Sequence, residues 1–277
     1  MSIELPAGIG GAIAFVAGAS VGSFANVVAW RLPREVSIVA PRSYCESCER
    51  ALPWWANIPI LAYLGSRGRC VMCGAAIPFR HFLGEIALAV TGLYLYLSFP
   101  LPDALARFVL CAALWIVAVV DYDWRLIPNI ITWPGTIVGF IAASLMMPEI
   151  GWQSSLIGIA VGGGVLYFTG YLYQLVRGRE GVGLGDVWLL GMVGGFLGWP
   201  GVFFTMFFGS IIGAVGGIAL AISGGISPAP MADPSTDPEE ADVSILRTEV
   251  PFGPFLALAA GIFALFQPQL AHWYLGR

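Results

Sequence analysis

Eight apolar runs partition this chain and constrain its fold more than any other feature. They fall at about 9–30, 82–99, 103–121, 130–147, 155–176, 186–199, 201–223 and 252–275. A helix of ~20 apolar residues crosses the hydrocarbon core of a bilayer, with ~17–25 as the working range. Inside lipid every backbone N–H and C=O has to be bonded within the protein, so runs of this kind become helices. The expectation is an all-α polytopic membrane protein with about eight transmembrane helices in a lipid bilayer. Composition agrees: 58% of the 277 residues are hydrophobic and 11% charged, against ~25% charged in a soluble domain. Mean hydropathy is +0.81. Disordered, collagen-like and disulfide-framework classes are excluded, and a net charge of −4 argues against a nucleic-acid partner.

Two runs need comment. The run 186–199 is short for a span; it reads as a sixth span in a locally thinned region, with a re-entrant segment as the competing reading. The first run lacks a basic leader region and reads as a retained span rather than a cleaved signal.

All 13 basic residues are Arg. The 31–81 loop carries Arg31, Arg34, Arg42, Arg50, Arg67, Arg69 and Arg80; Arg125 follows the third run, and Arg177 and Arg179 precede the sixth. With eight spans these fall on one side, which the positive-inside bias makes cytoplasmic. Both termini then face outward. The chain divides into a first transmembrane helix (1–30), a cytoplasmic loop (31–81) and a transmembrane core (82–277), interrupted by an acidic segment at 224–250. Glycines four apart (Gly18/Gly22, Gly158/Gly162, Gly191/Gly195, Gly209/Gly213/Gly217) mark faces where helices approach closely.

The loop holds Cys45-Glu-Ser-Cys48 and Cys70-Val-Met-Cys73. Four thiolates in two CxxC turns match a closed tetrahedral zinc site of the structural kind. Two disulfides are the alternative, and they fit poorly with a reducing compartment. Cys111, the fifth cysteine, reads as an inert mid-helix residue, and His81 as a residue at the membrane interface.

Two acidic clusters stand at helix ends on the Arg-rich side: Asp121 and Asp123 close the third run, and Gly183-Leu184-Gly185-Asp186 opens the sixth. Acids at membrane depth are costly and mark function. Two carboxylates brought together share a proton, one serving as base on water while the other polarises a scissile carbonyl. Residues two apart on a helix face nearly opposite ways, so one of Asp121 and Asp123 meets Asp186. A simple helix-capping role for Asp186 is the competing reading.

Gly183-Leu184-Gly185-Asp186 is a GxGD motif of intramembrane aspartyl proteases, and the rest of the chain resembles the bacterial type IV prepilin peptidase family. The matching segments run in order: Gly22 through Val27 with Arg31-Leu32-Pro33, the paired CxxC turns, Asn57-Ile58-Pro59, Arg80 through Glu85, Asp121 through Asn129, and Pro251 through Phe255. The resemblance implies catalytic Asp121 and Asp186 and a prepilin or pseudopilin substrate. It implies removal of the short basic leader at the cytoplasmic face of the inner membrane, and methylation of the new N-terminus from S-adenosylmethionine. It brings Asn26 and Glu85 into the family pattern; read alone, they are a helix-packing and a span-capping residue. One departure is Trp188, where the family commonly carries Lys. Two other function classes remain: a transporter or channel with a zinc-stabilised loop, and a non-catalytic assembly protein.

Overall fold

The computed structural model describes residues 7–177, 183–222 and 252–275. The acidic segment 224–250, and Gly181 and Val182 of the glycine-rich stretch, lie outside the described residues. The described residues form the helices α1 (Ala7–Arg31), a short α2 (Leu61–Gly65), α3 (Phe79–Ser98), α4 (Leu101–Trp124), α5 (Asn129–Leu145), α6 (Gly151–Arg177), α7 (Leu184–Ile222) and α8 (Gly253–Leu275), with a largely irregular loop between α1 and α3 that contains α2. Six of them are long and apolar enough to cross a membrane, and α5 is an apolar helix of 17 residues.

Prolines and left-handed residues set the boundaries. Pro102 occupies the first turn of α4, where a missing N–H costs nothing. Arg125, at φ 52°, ends α4 by turning its N–H onto the Asp121 carbonyl (2.8 Å). Pro128 then separates α4 from α5.

Helix α7 is two helices. At Gly198 the backbone takes φ 67° and ψ −174°, outside the helical region, a conformation that glycine adopts freely. The contacts show that the chain reverses there. Along α8, Phe252 meets Gly213, Leu256 meets Gly209 and Phe263 meets Gly201, so the second arm of α7 runs antiparallel to α8. Gly253 touches Asp121 near the end of α4, while Arg107, near its start, bonds to Ala264. Both ends of α7 therefore lie at the end of the bundle that holds Asp121. With this hairpin the described helices supply eight apolar arms, matching the eight runs of the sequence. The first arm, 184–197, is about 21 Å long at ~1.5 Å per residue, well short of a ~30 Å hydrocarbon core.

The core lies among α4, α5, α7 and α8, where Leu110, Val117, Leu189, Met192, Phe196 and Leu256 are buried. Glycine supplies the close approaches. A Cβ on Gly158 would stand 2.6 Å from the Gly194 carbonyl oxygen, and one on Gly22 would stand 2.7 Å from that of Gly84. These backbone contacts lock α6 to α7 and α1 to α3, where burying apolar surface gives little drive in lipid. Exposed Ile13, Phe24, Leu145 and Phe207 form part of the outward apolar surface.

Candidate active site and metal centre

Asp121 sits in the last turn of α4 and is only 6% exposed. Its Oδ2 accepts a hydrogen bond from the Gly253 N–H at 2.9 Å. Gly253 is the first residue of α8, so an otherwise unpaired helix N-terminal N–H holds the carboxylate and the partial positive charge there favours it. Only glycine fits: a Cβ on Gly253 would come within 2.6 Å of Oδ2. Gly253→Ala should therefore lower catalysis by about 100-fold while leaving both acids in the chain, since ~1 Å of misplacement costs that much. The measurement is cleavage rate against melting temperature; an unchanged rate counts against this contact.

Asp186 is third in α7, with Gly183 at the cap position and the Asp186 N–H bonded to the Gly183 carbonyl (3.1 Å). It is thus inside the first turn rather than at the cap. Gly185 explains how α7 reaches α4: a Cβ there would be 2.7 Å from Cβ of Ile127, in the turn that follows α4. The half-buried Asp186 carboxylate lies within electrostatic reach of Asp121. The structure thus gathers Asp121 and Asp186 at one end of the bundle. Asp123 points elsewhere and forms an ion pair with Arg80 of α3 (2.6 Å to Oδ1).

The two CxxC turns repeat one hydrogen-bond pattern. Cys45 N–H bonds to Arg50 O and Glu49 N–H to Cys45 O; Cys70 N–H bonds to Ala75 O and Gly74 N–H to Cys70 O. Glu49 and Gly74, each directly after the second cysteine of its turn, both have positive φ. The four Sγ atoms lie within 4.8 Å of one another, with Cys45 and Cys73 at 3.8 Å. A tetrahedral ion with ~2.3 Å metal–sulfur bonds needs sulfurs ~3.8 Å apart, so the donor set fits such an ion. Backbone N–H groups of Met72 and Cys73 hold the Cys70 thiol down to about 7, while burial and the neighbouring sulfurs push Cys73 up to about 11 against a backbone N–H from Ala75, so the four thiols do not ionise alike without an ion between them.

Sequence reasoning did not find five of the contacts around these centres. Glu85 accepts the Ile60 N–H at 2.7 Å, tying the loop to α3. Asn26 donates to the His81 carbonyl (2.8 Å) and accepts from Trp115 Nε1 (3.4 Å), joining α1, α3 and α4. The Gly253 bond and the Arg80–Asp123 pair complete the set; both involve residues inside motifs that the sequence singled out.

Residues 16–99 match the Bacterial Peptidase A24 N-terminal domain, and residues 108–218 match the Type IV leader peptidase family. A prepilin leader peptidase/N-methyltransferase of Myxococcus xanthus is 32% identical, covering 93% of this chain and 90% of its own length. The chain belongs to the type IV leader peptidase family. Relatives of the same description from Burkholderia pseudomallei (32% identical, 95% of this chain and 87% of theirs) and Pseudomonas aeruginosa (31%, 93% and 91%) agree. No solved structure matches the chain. Within this leader peptidase, Trp188 has a local partner: its ring packs on Trp133 of α5 at 4.7 Å between centroids, an aromatic contact that a lysine cannot reproduce.

Proposed function

We propose that Asp121 and Asp186 are the catalytic pair with which this leader peptidase hydrolyses the bond between the basic leader of a prepilin or pseudopilin and its apolar helix. The observation that supports the reading is that these two acids lie within electrostatic reach of one another at one end of the bundle. One carboxylate takes a proton from water as the water attacks the scissile carbonyl, and the other, protonated, donates to the carbonyl oxygen. The Gly253 N–H keeps the Asp121 carboxylate in one orientation for this exchange. The short first arm of α7 supports water access, because either the bilayer thins around it or its Asp186 end lies below the interface. The Arg-rich end faces the cytoplasm of an inner-membrane protein by the positive-inside bias.

The experiment is leader cleavage by detergent-purified protein, with the new N-terminus sequenced. Wild type should release the leader, and Asp121→Asn and Asp186→Asn should not. Cleavage retained in both variants would remove the assignment; a wild type that never cleaves would favour a transporter or an assembly role.

The Cys45, Cys48, Cys70 and Cys73 tetrad holds structural zinc, because four thiolates leave no open ligand position. The ion folds a loop too small to have a core of its own. Cys45→Ser should cut bound zinc per protein to well under half and loosen the loop to proteolysis; full metal content in this variant excludes the tetrad. The second activity of the family, methylation of the new N-terminal amine, draws its methyl group from S-adenosylmethionine.

A further inference from the structure

Between Arg50 and Arg67 the cysteine loop runs from Ala51 to Ser66 without a charge. Its large apolar side chains face outward: Trp54 and Trp55, in a 3-10 turn, and Leu61 and Leu64, in α2, are all exposed, Trp54 by 72% and Leu61 by 66%. Residues three apart share a helix face, so Leu61 and Leu64 form one apolar edge. Tyr63 turns the other way and stacks on Phe82 at 4.9 Å between ring centroids, with Phe79 against its edge. A backbone bond sets the depth of the segment. The Ile60 N–H donates to Glu85 at 2.7 Å, and Glu85 is the seventh residue of α3, about 9 Å along the axis from Phe79. Helical side chains lean toward the helix N-terminus, which places Ile60 beside the first two turns of α3. Ile60 has φ 64°, a left-handed conformation that a β-branched residue keeps only where its surroundings enforce it.

We propose that this segment rests in the headgroup layer of the bilayer at that end of α3, with Trp54, Trp55, Leu61 and Leu64 on the acyl chains and Arg50 and Arg67 on the phosphates of anionic lipids. Depth and continuity make lipid the occupant. Helix α3 is long and apolar enough to cross a membrane, and its exposed Phe79, Leu83, Val90 and Leu97 lie along one face. Phe79 begins that face and touches Tyr63, so the apolar edge of the segment continues a surface that already meets lipid. The residue types agree. Tryptophan concentrates at membrane interfaces, and an apolar face flanked by arginine is the pattern of an element that lies on a membrane. With Pro53 and Pro59 inside it, the segment is too broken and too short to span. Charge complementarity selects the headgroup: residues 31–81 carry seven Arg against Glu35, Glu46 and Glu49, and a basic surface beside a membrane draws anionic lipid. In water the same four side chains would form an exposed apolar patch of a kind that soluble surfaces rarely carry. The loop is thereby braced from two sides, by α3 and by lipid.

The test reconstitutes the full chain in vesicles of phosphatidylcholine and phosphatidylglycerol that contain phosphatidylglycerol with a photoactivatable diazirine in its acyl chain. Trypsin cuts after Arg50 and Arg67, so the single peptide 51–67 reports on the segment, 43–50 on the first cysteine turn and 81–107 on α3. After illumination, label is expected in 51–67 and 81–107, with little or none in 43–50. Leu61→Gln combined with Leu64→Gln should lower the label in 51–67 by about threefold or more, because two apolar contacts with lipid are lost. At low salt the phosphatidylglycerol probe should label 51–67 about threefold or more above a phosphatidylcholine probe with the same acyl chain, a preference that high salt erases. The labelling of the wild type decides the matter even if the double variant fails to fold. Label in 81–107 with none in 51–67 overturns the proposal; dimerisation in the vesicles that the double variant abolishes then assigns the face to a second copy of the chain. Equal label in 43–50 and 51–67 overturns the placement as well. Equal labelling by the two probes at low salt overturns the selection of anionic lipid.

Discussion

Asn in place of Asp121 or of Asp186 should lower the rate of leader cleavage by about 10³-fold or more, and the double variant should lose little beyond either single one. General acid–base groups contribute ~10²–10⁴-fold each, and groups that act as one unit are far from additive. Asn preserves shape and can still accept the Gly253 N–H, but it cannot take a proton from water. Single-turnover cleavage of a leader peptide, with melting temperature as the folding control, measures this. A single variant keeping more than about a tenth of the wild-type rate contradicts a proton-sharing pair. Asp123→Asn is the internal comparison. It disturbs only a partly exposed ion pair, whose side chains are 41% and 25% exposed, and such pairs are worth ~0–1 kcal/mol. Its effect on cleavage should be small.

The largest effect on stability should come from Arg107, a charge that the sequence reading passed over inside the third apolar run. It is completely buried. Its guanidinium donates to Asp103 Oδ1 (2.7 Å), the Ala264 carbonyl (2.8 Å) and Gln267 Oε1 (2.9 Å), and lies 4.3 Å over the Phe99 ring. This set ties the start of α4 to α8 at the end of the bundle away from Asp121. Arg107→Leu leaves Asp103 buried without its cation, a loss of ~3–5 kcal/mol. Replacing both members by apolar residues of similar size should recover much of that, because no buried charge then stands alone. Thermal unfolding in detergent of Arg107→Leu, Asp103→Leu and the double variant tests this. Equal melting temperatures for wild type and Arg107→Leu would show that the cluster does not hold α4 to α8. Asp121 is fourteen residues further along α4, about 21 Å at ~1.5 Å per residue, so cleavage measured well below the melting temperature should survive.

The sequence reading reached the eight arms, the gathering of the four cysteines and the placing of Asp121 and Asp186 at one end of the bundle. Its doubt over the run 186–199 came from length alone. The structure shows a helical hairpin about Gly198, with Gly158 and Gly162 of α6 packed on it. The choice between Asp121 and Asp123 is open by helical spacing, and the fold separates them: Asp121 meets the start of α8 and Asp123 meets Arg80 of α3. Glu85, taken alone as a span cap, instead anchors the loop through Ile60, and Asn26 packs helices as expected.

Local order in the chain determined the apolar arms, the paired cysteine turns and the acid-bearing helix ends. Each depends on residues that are neighbours in sequence: a run long enough to cross lipid, two cysteines three apart, a glycine beside an acid. Tertiary structure alone decided which backbone N–H holds Asp121, from 132 residues away, and which carbonyl receives Arg107, from 157 residues away. It also decided that α1, the start of α3 and the loop line a common open hollow. Such contacts leave no periodic trace in the sequence, because they form only where helices distant along the chain pack closely enough for one backbone to touch another's side chain.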